Sequence, residues 1–182
     1  MQIRQFTDDQ DIQDIKNIVQ ELSFSQNNLQ EWFQDYPVEN LDYFKDFILQ
    51  SPLSLWVFQD KKMIGFVVSY DISNTLNIQK TQDPILQYLL QKQYLDSKSV
   101  YIDILWIIQN MQNKWIGVHL LRSLMNYIKQ QEFKNIRCVV CLDSHSQNSN
   151  IYKILKYVWL EIFEKITDNK WNNFEIYKMD LK

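Results

Sequence analysis

The run Val100-Tyr101-Ile102-Asp103-Ile104-Leu105-Trp106-Ile107-Ile108, together with the loop and the periodic segment behind it, constrains this chain more than any other stretch. Nine largely apolar residues, rich in β-branched and aromatic side chains, read as a buried strand. A polar loop centred on Gln112-Asn113-Lys114-Trp115-Ile116-Gly117 comes next. After Gly117 the apolar residues fall at Leu120, Leu121, Leu124, Met125 and Ile128, the three-and-four spacing of a helix with one buried face. A loop at such a junction aims backbone N–H groups and the positive helix end at one point, which makes it a ready anion site. The plain alternative is an ordinary strand-to-helix turn that holds no ligand.

The other elements can be placed around this unit in chain order. Ile3 to Phe6 reads as a short strand, and Thr7 with Gln10 has the spacing of a capping box opening a helix buried through Ile12, Ile15, Val19 and Leu22. Two short helices flank Pro37 between Phe24 and Gln50. Leu53 to Phe58 and Met63 to Tyr70 form an antiparallel hairpin across Gln59-Asp60-Lys61-Lys62. Asp71 to Asp83 is a polar loop. Asp83 and Pro84 start a helix that runs to about Leu95. A strand from Ile136 to Leu142, a short helix from Ile151 to Tyr157, and a second hairpin of Val158 to Ile166 with Trp171 to Leu181 complete the chain. At 182 residues this is one domain spanning 1–182, with enough length to bury ~70% of its unfolded surface. The fold class expected is mixed α/β (α+β), a single mostly antiparallel twisted sheet of about seven strands flanked by helices.

Glycine occurs only at positions 65 and 117, so turns that usually take it must use Asn, Asp or Lys at some conformational cost. Cys138 and Cys141 form a C-x-x-C inside an apolar strand, where residues three apart face opposite ways. They read as buried thiols, and no metal site is expected. No apolar run approaches the ~20 residues that cross a bilayer and no signal-peptide core lies behind Met1, so a cytoplasmic chain without a membrane partner is expected. The net charge of −3 is unevenly divided: residues 1–60 carry 11 acidic and 3 basic side chains (−8), residues 61–182 carry 11 and 16 (+5). Most of this is solvated surface, but it also suits a phosphate-bearing ligand on one side and a cationic partner on the other. With no dense basic stripe, nucleic acid is not an expected partner. An exposed edge strand and surface aromatics permit a homodimer.

The element order, with the loop at its centre, resembles the GNAT superfamily of acyl-CoA-dependent N-acetyltransferases over nearly the whole chain. The family's phosphate loop reads (Arg/Gln)-x-x-Gly-x-(Gly/Ala). Gln112, Ile116 and Gly117 fit it, while Trp115 stands where the first glycine is expected. The family also carries a short helix ending Leu-Tyr-x-x-x-Gly-Phe. Here Ile151-Tyr152-Lys153-Ile154-Leu155-Lys156-Tyr157 keeps the tyrosine and replaces the glycine by Lys156. His145 stands where an asparagine is frequent.

The resemblance implies acetyl-CoA as co-substrate, held by Ile107, Ile108, Gln112, Asn113, Lys114, Trp115, Ile116, Gly117 and Val118, with the backbone of 113–118 on the pyrophosphate. Trp115 suits such a loop if its side chain turns outward, onto the ligand or a neighbouring helix, and blocks it if the ring fills the pocket. Asp103, the acidic residue inside the central strand, is the candidate general base, or else a strand carboxylate paired with a nearby cation. A backbone N–H near Leu105 to Ile107 would face the developing oxyanion. Tyr152 is the candidate proton donor to the thiolate, or else a core aromatic. The acceptor implied is a primary amine of a protein or small molecule, to which the acidic first third would be attractive. The alternative is a catalytically inactive GNAT-fold binding or structural subunit, to which Trp115, Lys156 and the missing asparagine point.

Overall fold

The computed structural model describes residues 1–5, 53–72, 84–108, 111, 114–141, 150–158, 160–167 and 173–181. The helices expected between Thr7 and Gln50, His145, and Gln112 and Asn113 of the loop lie outside these residues. So do the side chains of Asp103, Cys138, Cys141 and Tyr152, whose backbones are described.

The described strands form a seven-stranded sheet in the order β1-β2-β3-β4-β5-β7-β6. They are β1 (Gln2–Gln5), β2 (Leu55–Gln59), β3 (Lys62–Asp71), β4 (Ser99–Ile107), β5 (Asn135–Cys141), β6 (Glu161–Thr167) and β7 (Asn173–Asp180). Every pairing is antiparallel except that of β4 with β5. A parallel neighbour needs a crossover, and helix α2 (Ile116–Lys129) supplies it. Helix α1 (Pro84–Gln91) lies between β3 and β4, and α3 (Asn150–Tyr157) between β5 and β6. No described helix is long and apolar enough to cross a membrane.

The shortage of glycine is met by forcing other residues into left-handed backbone. Asp60 and Lys61, with φ of 51° and 65°, form the two-residue turn that pairs Gln59 with Lys62. Gln93, with φ of 57°, ends α1, and the Tyr94 N–H reaches back to the Leu89 carbonyl at 2.9 Å in a Schellman-type close. Both glycines keep negative φ and so serve some other purpose.

The two faces of the sheet are covered differently. On one, Leu120, Leu121, Leu124 and Ile128 of α2 and Leu155 of α3 are buried against Val57, Val67, Val100 and Ile102. Burying each such Leu or Ile is worth about 1.5–3 kcal/mol, which explains why the periodic stripe after Gly117 forms a helix here. On the other face Leu89 and Leu95, in and after α1, cover Ile72, Tyr101 and Ile176. Tyr94 extends this cover to β6, meeting the Phe163 ring edge-on at 5.1 Å. Its hydroxyl is pushed up to about 12 by a hydrogen bond to the Glu164 carboxylate, aided by partial burial and by that carboxylate's charge.

Two of the boundaries that differ from the sequence expectation bear on the site, while α1 also ends at Gln91 rather than near Leu95. β6 starts at Glu161, not Val158: the Val158 N–H bonds to the Ile154 carbonyl and that of Leu160 to Leu155, so this stretch closes α3. Both residues are buried against the helix layer, which is what made their apolar pattern look like a strand. The crossover helix starts at Ile116, so Gly117 belongs to its first turn rather than to the loop. Cys138 and Cys141 both lie within β5, not in the turn that a metal or redox C-x-x-C requires.

Candidate active site

β4 changes character at Asp103. Val68 pairs with Ile104 and Ser69 with Ile102, so Asp103 is an extra residue on β4, a bulge that locally breaks the ladder. The parallel pairing with β5 runs from Ser99↔Asn135 to Ile102↔Cys138 and stops there. Beyond that point β5 remains with β7 as far as Cys141↔Phe174, and β4 remains with β3 as far as Ile107↔Gly65. The sheet therefore opens into a wedge between β4 and β5.

One bond gives the direction of the backbone in the wedge. The Ile108 N–H donates to the Ile64 carbonyl at 3.0 Å, so Ile108, Trp106 and Ile104 turn their peptide groups to β3. Leu105 and Ile107, in between, turn theirs to the β5 side. Among the described residues nothing pairs with Leu105 there. An extended ligand with amide groups can add to this bank as a strand would. Of the two isoleucines singled out from the sequence, Ile107 directs its backbone into the wedge. Ile108 does not, because its N–H is engaged by the Ile64 carbonyl and its own carbonyl by the Met111 N–H.

The first turn of α2 sits over this open half. A Cβ built on Gly117 would lie 3.0 Å from Ile154 Cδ1 of α3, 3.8 Å from Leu105 Cδ2 and 3.9 Å from Ile107 Cγ1 of β4. Gly117 is thus a point where strand, crossover helix and α3 come close together, and its use is space rather than φ. The first intrahelical bond is His119 N–H to the Trp115 carbonyl at 3.0 Å. The N–H groups of Ile116, Gly117 and Val118 precede it and project from the helix end, where an anion is favoured by both hydrogen bonding and the dipole.

Trp115 caps this helix in the left-handed region, φ 63° and ψ 5°, and gives no side-chain cap bond. The family pattern has glycine here, and the structure shows why: the position calls for positive φ, which costs a tryptophan about 1 kcal/mol. Its ring turns outward, 54% exposed, and meets Tyr157 of α3 edge-on at 4.8 Å and 64°. Lys114, also exposed, places its ammonium 3.4 Å from Met111 Sδ.

Asp103 and Tyr152 are placed by backbone alone. Asp103 is the bulge residue at the mouth of the wedge, and Tyr152 lies in the first turn of α3, the helix whose Ile154 touches the Gly117 site. The sequence did not single out the buried charge on the far bank. Glu175 of β7, 5% exposed, pairs with Val140 of β5 and Lys165 of β6. It accepts a hydrogen bond from Tyr177 Oη at 2.7 Å and forms an ion pair with Lys165 Nζ at 2.7 Å. Burial pulls its pKa up, but the bonds from Lys165 and Tyr177 and the Lys165 charge outweigh this and leave it below the ordinary carboxylate value. The signal lay in the second hairpin: once its register is known, Lys165 and Glu175 stand opposite.

Residues 19–157 match the sequence profile of the acetyltransferase (GNAT) family. The fold is similar to that of an N-acetyltransferase from Staphylococcus aureus Mu50, with a TM-score of 0.67 and 14% identity over 100% of this chain and 98% of that one. It is also similar to the ribosomal-protein-S18-alanine N-acetyltransferase from Escherichia coli, with a TM-score of 0.64 and 10% identity over 100% and 94%. The PaiA N-acetyltransferase from Thermoplasma acidophilum, solved in complex with coenzyme A, gives a TM-score of 0.65 and 15% identity over 98% of both chains. Likenesses at such identities speak for the fold. No curated protein matches the sequence.

Proposed function

Because the chain belongs to the acetyltransferase (GNAT) family, we propose that it transfers an acetyl group from acetyl-CoA to a primary amine of a protein or small molecule. The observation that carries this reading is the parting of β4 from β5 after Ile102, with the first turn of α2 set over the open half. The peptide group of Leu105 would align the donor's extended amide arm. The N–H groups of Ile116, Gly117 and Val118, with Lys114 and the loop residues Gln112 and Asn113, would hold its pyrophosphate. Asp103 would take a proton from the acceptor ammonium, directly or through water, freeing the lone pair that attacks the thioester carbonyl. The Leu105 N–H would face the oxygen on which charge develops. As the new C–N bond forms and the C–S bond breaks, Tyr152 would protonate the leaving thiolate, and the proton shed by the acylated nitrogen would restore the tyrosine through water. The −8 of residues 1–60 would favour a cationic acceptor such as a protein amino terminus, a lysine or a polyamine.

A second reading, a family member that binds without catalysis, is favoured by one feature: the family's glycine is replaced by a strained Trp115. Calorimetric titration with acetyl-CoA and assay of thiol release with a panel of primary amines separate the two. Saturable binding with turnover is expected. Asp103→Asn and Tyr152→Phe should each lower kcat by about 10²–10⁴-fold while binding persists, the usual size of a general acid or base effect. Absence of acetyl-CoA binding would end the proposal, and binding with no turnover would favour the second reading.

A further inference from the structure

The two places where this chain departs from its family's glycines, Trp115 and Lys156, lie beside the same spot on the surface. Trp115 meets Tyr157, the residue next to Lys156. We infer that Trp115 and Tyr157 form a stacking platform for the purine base at the nucleotide end of coenzyme A, with Lys114, Lys153 and Lys156 drawing in its phosphates. The inference rests on the acetyl-CoA reading and adds to it the residues that select the nucleotide.

Four observations lead there. Both rings are half-exposed, 54% for Trp115 and 48% for Tyr157, so each offers an apolar face to solvent next to its partner. Their edge-on arrangement at 64° means the two rings do not stack face to face on each other, and every purine has a π-face to lay on an aromatic ring. Trp115 directly precedes the N–H groups of Ile116, Gly117 and Val118, and in coenzyme A one ribose separates the pyrophosphate from the base. The strained φ of 63° holds the indole at this spot, where glycine would fit the backbone at no cost and offer no ring.

The charges agree. Lys114, Lys153 and Lys156 are all exposed. Neither α2 nor α3 has an acidic residue in its first turn, although the whole chain carries −3. Coenzyme A brings a 3′-phosphate as well as the pyrophosphate to this end, which suits a ring pair whose chain neighbours include Lys114, Lys153 and Lys156. The competing account is that the rings only latch the loop to α3.

Titration calorimetry with three donors resolves these: acetyl-CoA, acetyl-dephospho-CoA, which keeps the base but lacks the 3′-phosphate, and S-acetyl-4′-phosphopantetheine, which lacks both. Trp115→Leu keeps a bulky side chain and a non-glycine turn but has no π-face. It should weaken the first two donors by roughly tenfold or more and change the third by less than about twofold, in line with the stacking contribution of one base. Trp115→Phe should keep most of the affinity. Lys156→Gly should weaken acetyl-CoA more than acetyl-dephospho-CoA. Equal loss on all three donors with Trp115→Leu would make the residue a loop latch and overturn the inference, as would no loss on any. Failure of the native chain to bind all three would remove the acetyl-CoA reading itself.

Discussion

From Val100 to Ile102, β4 is paired on both sides, with β3 and with β5; from Ile104 to Ile107 the described pairing is with β3 alone. Both halves come from one apolar run and are alike in chemistry. In the closed half side chains are removed from water almost completely, with Val100 at 0% and Ile102 at 2% exposure. In the open half Leu105 and Ile107 are half-buried, covered from one side by Gly117 and α3. The difference teaches that the wedge does not come from a loss of apolar character, since Ile104 to Ile107 is as apolar as Val100 to Ile102. It comes from one extra residue on β4 and from β5 staying with β7 instead of β4.

Core truncation should show the contrast most strongly. Ile102→Ala in the closed half should lower unfolding free energy by about 2–5 kcal/mol, the range for a fully buried isoleucine, whereas Leu105→Ala in the open half should cost about 1–2 kcal/mol because its site is already partly wet. Denaturant midpoints of the two variants check this, and equal costs would mean that the wedge is closed in solution. If the wedge holds acetyl-CoA, added acetyl-CoA should raise the midpoint of the native chain by mass action.

A smaller effect is expected on the far bank, where β5 is held by β7 and the Glu175 network. Lys165→Met leaves Glu175 buried with only Tyr177 as partner, and should cost about 1–2 kcal/mol at neutral pH, since Lys165 itself is largely exposed. The sign of the shift sets the pH dependence. The folded pKa of Glu175 lies below its ordinary 4.5, so its stabilisation is present above about pH 4.5 and is lost as the pH falls through the folded value. Melting temperatures tracked from pH 6 downwards should fall less steeply for Lys165→Met than for the native chain. Parallel curves would show that the pair does not hold this bank.

The smallest effect concerns the cap over the wedge. Trp115→Ala keeps a left-handed non-glycine residue and loses the Tyr157 contact. Trp115→Gly loses the same contact but releases the strain, so it should be the more stable of the two by about 1 kcal/mol. The reverse order would show that the φ of 63° carries no strain.

Much of the architecture was legible from periodicity. The stripe from Leu120 to Ile128, the hairpin across Asp60-Lys61 and the helix start at Pro84 each appear within a few residues of expectation, because local spacing and turn chemistry set them. The boundary between α3 and β6 was misread, since Val158 and Leu160 are buried by the helix layer and burial alone does not tell a strand from the wrap of a helix end. At the site, the loop could be read from Gln112, Ile116 and Gly117, and so could the doubt over Trp115. The outward turn of its ring onto Tyr157 could not, because that contact joins residues 42 positions apart.

By itself, the sequence determined a strand, a loop and a helix with an anion-friendly start, and it limited glycine to two positions. Only the tertiary structure decided that β4 and β5 part after Ile102 and that Asp103 is the bulge beside the opening. It also gave Gly117 its place, where α2, α3 and β4 come together so that a Cβ would press on the Ile154 side chain. The physical reason is that strand pairing and close packing are set between segments far apart in the chain, and an apolar run of nine residues reads the same whether its neighbour stays or leaves.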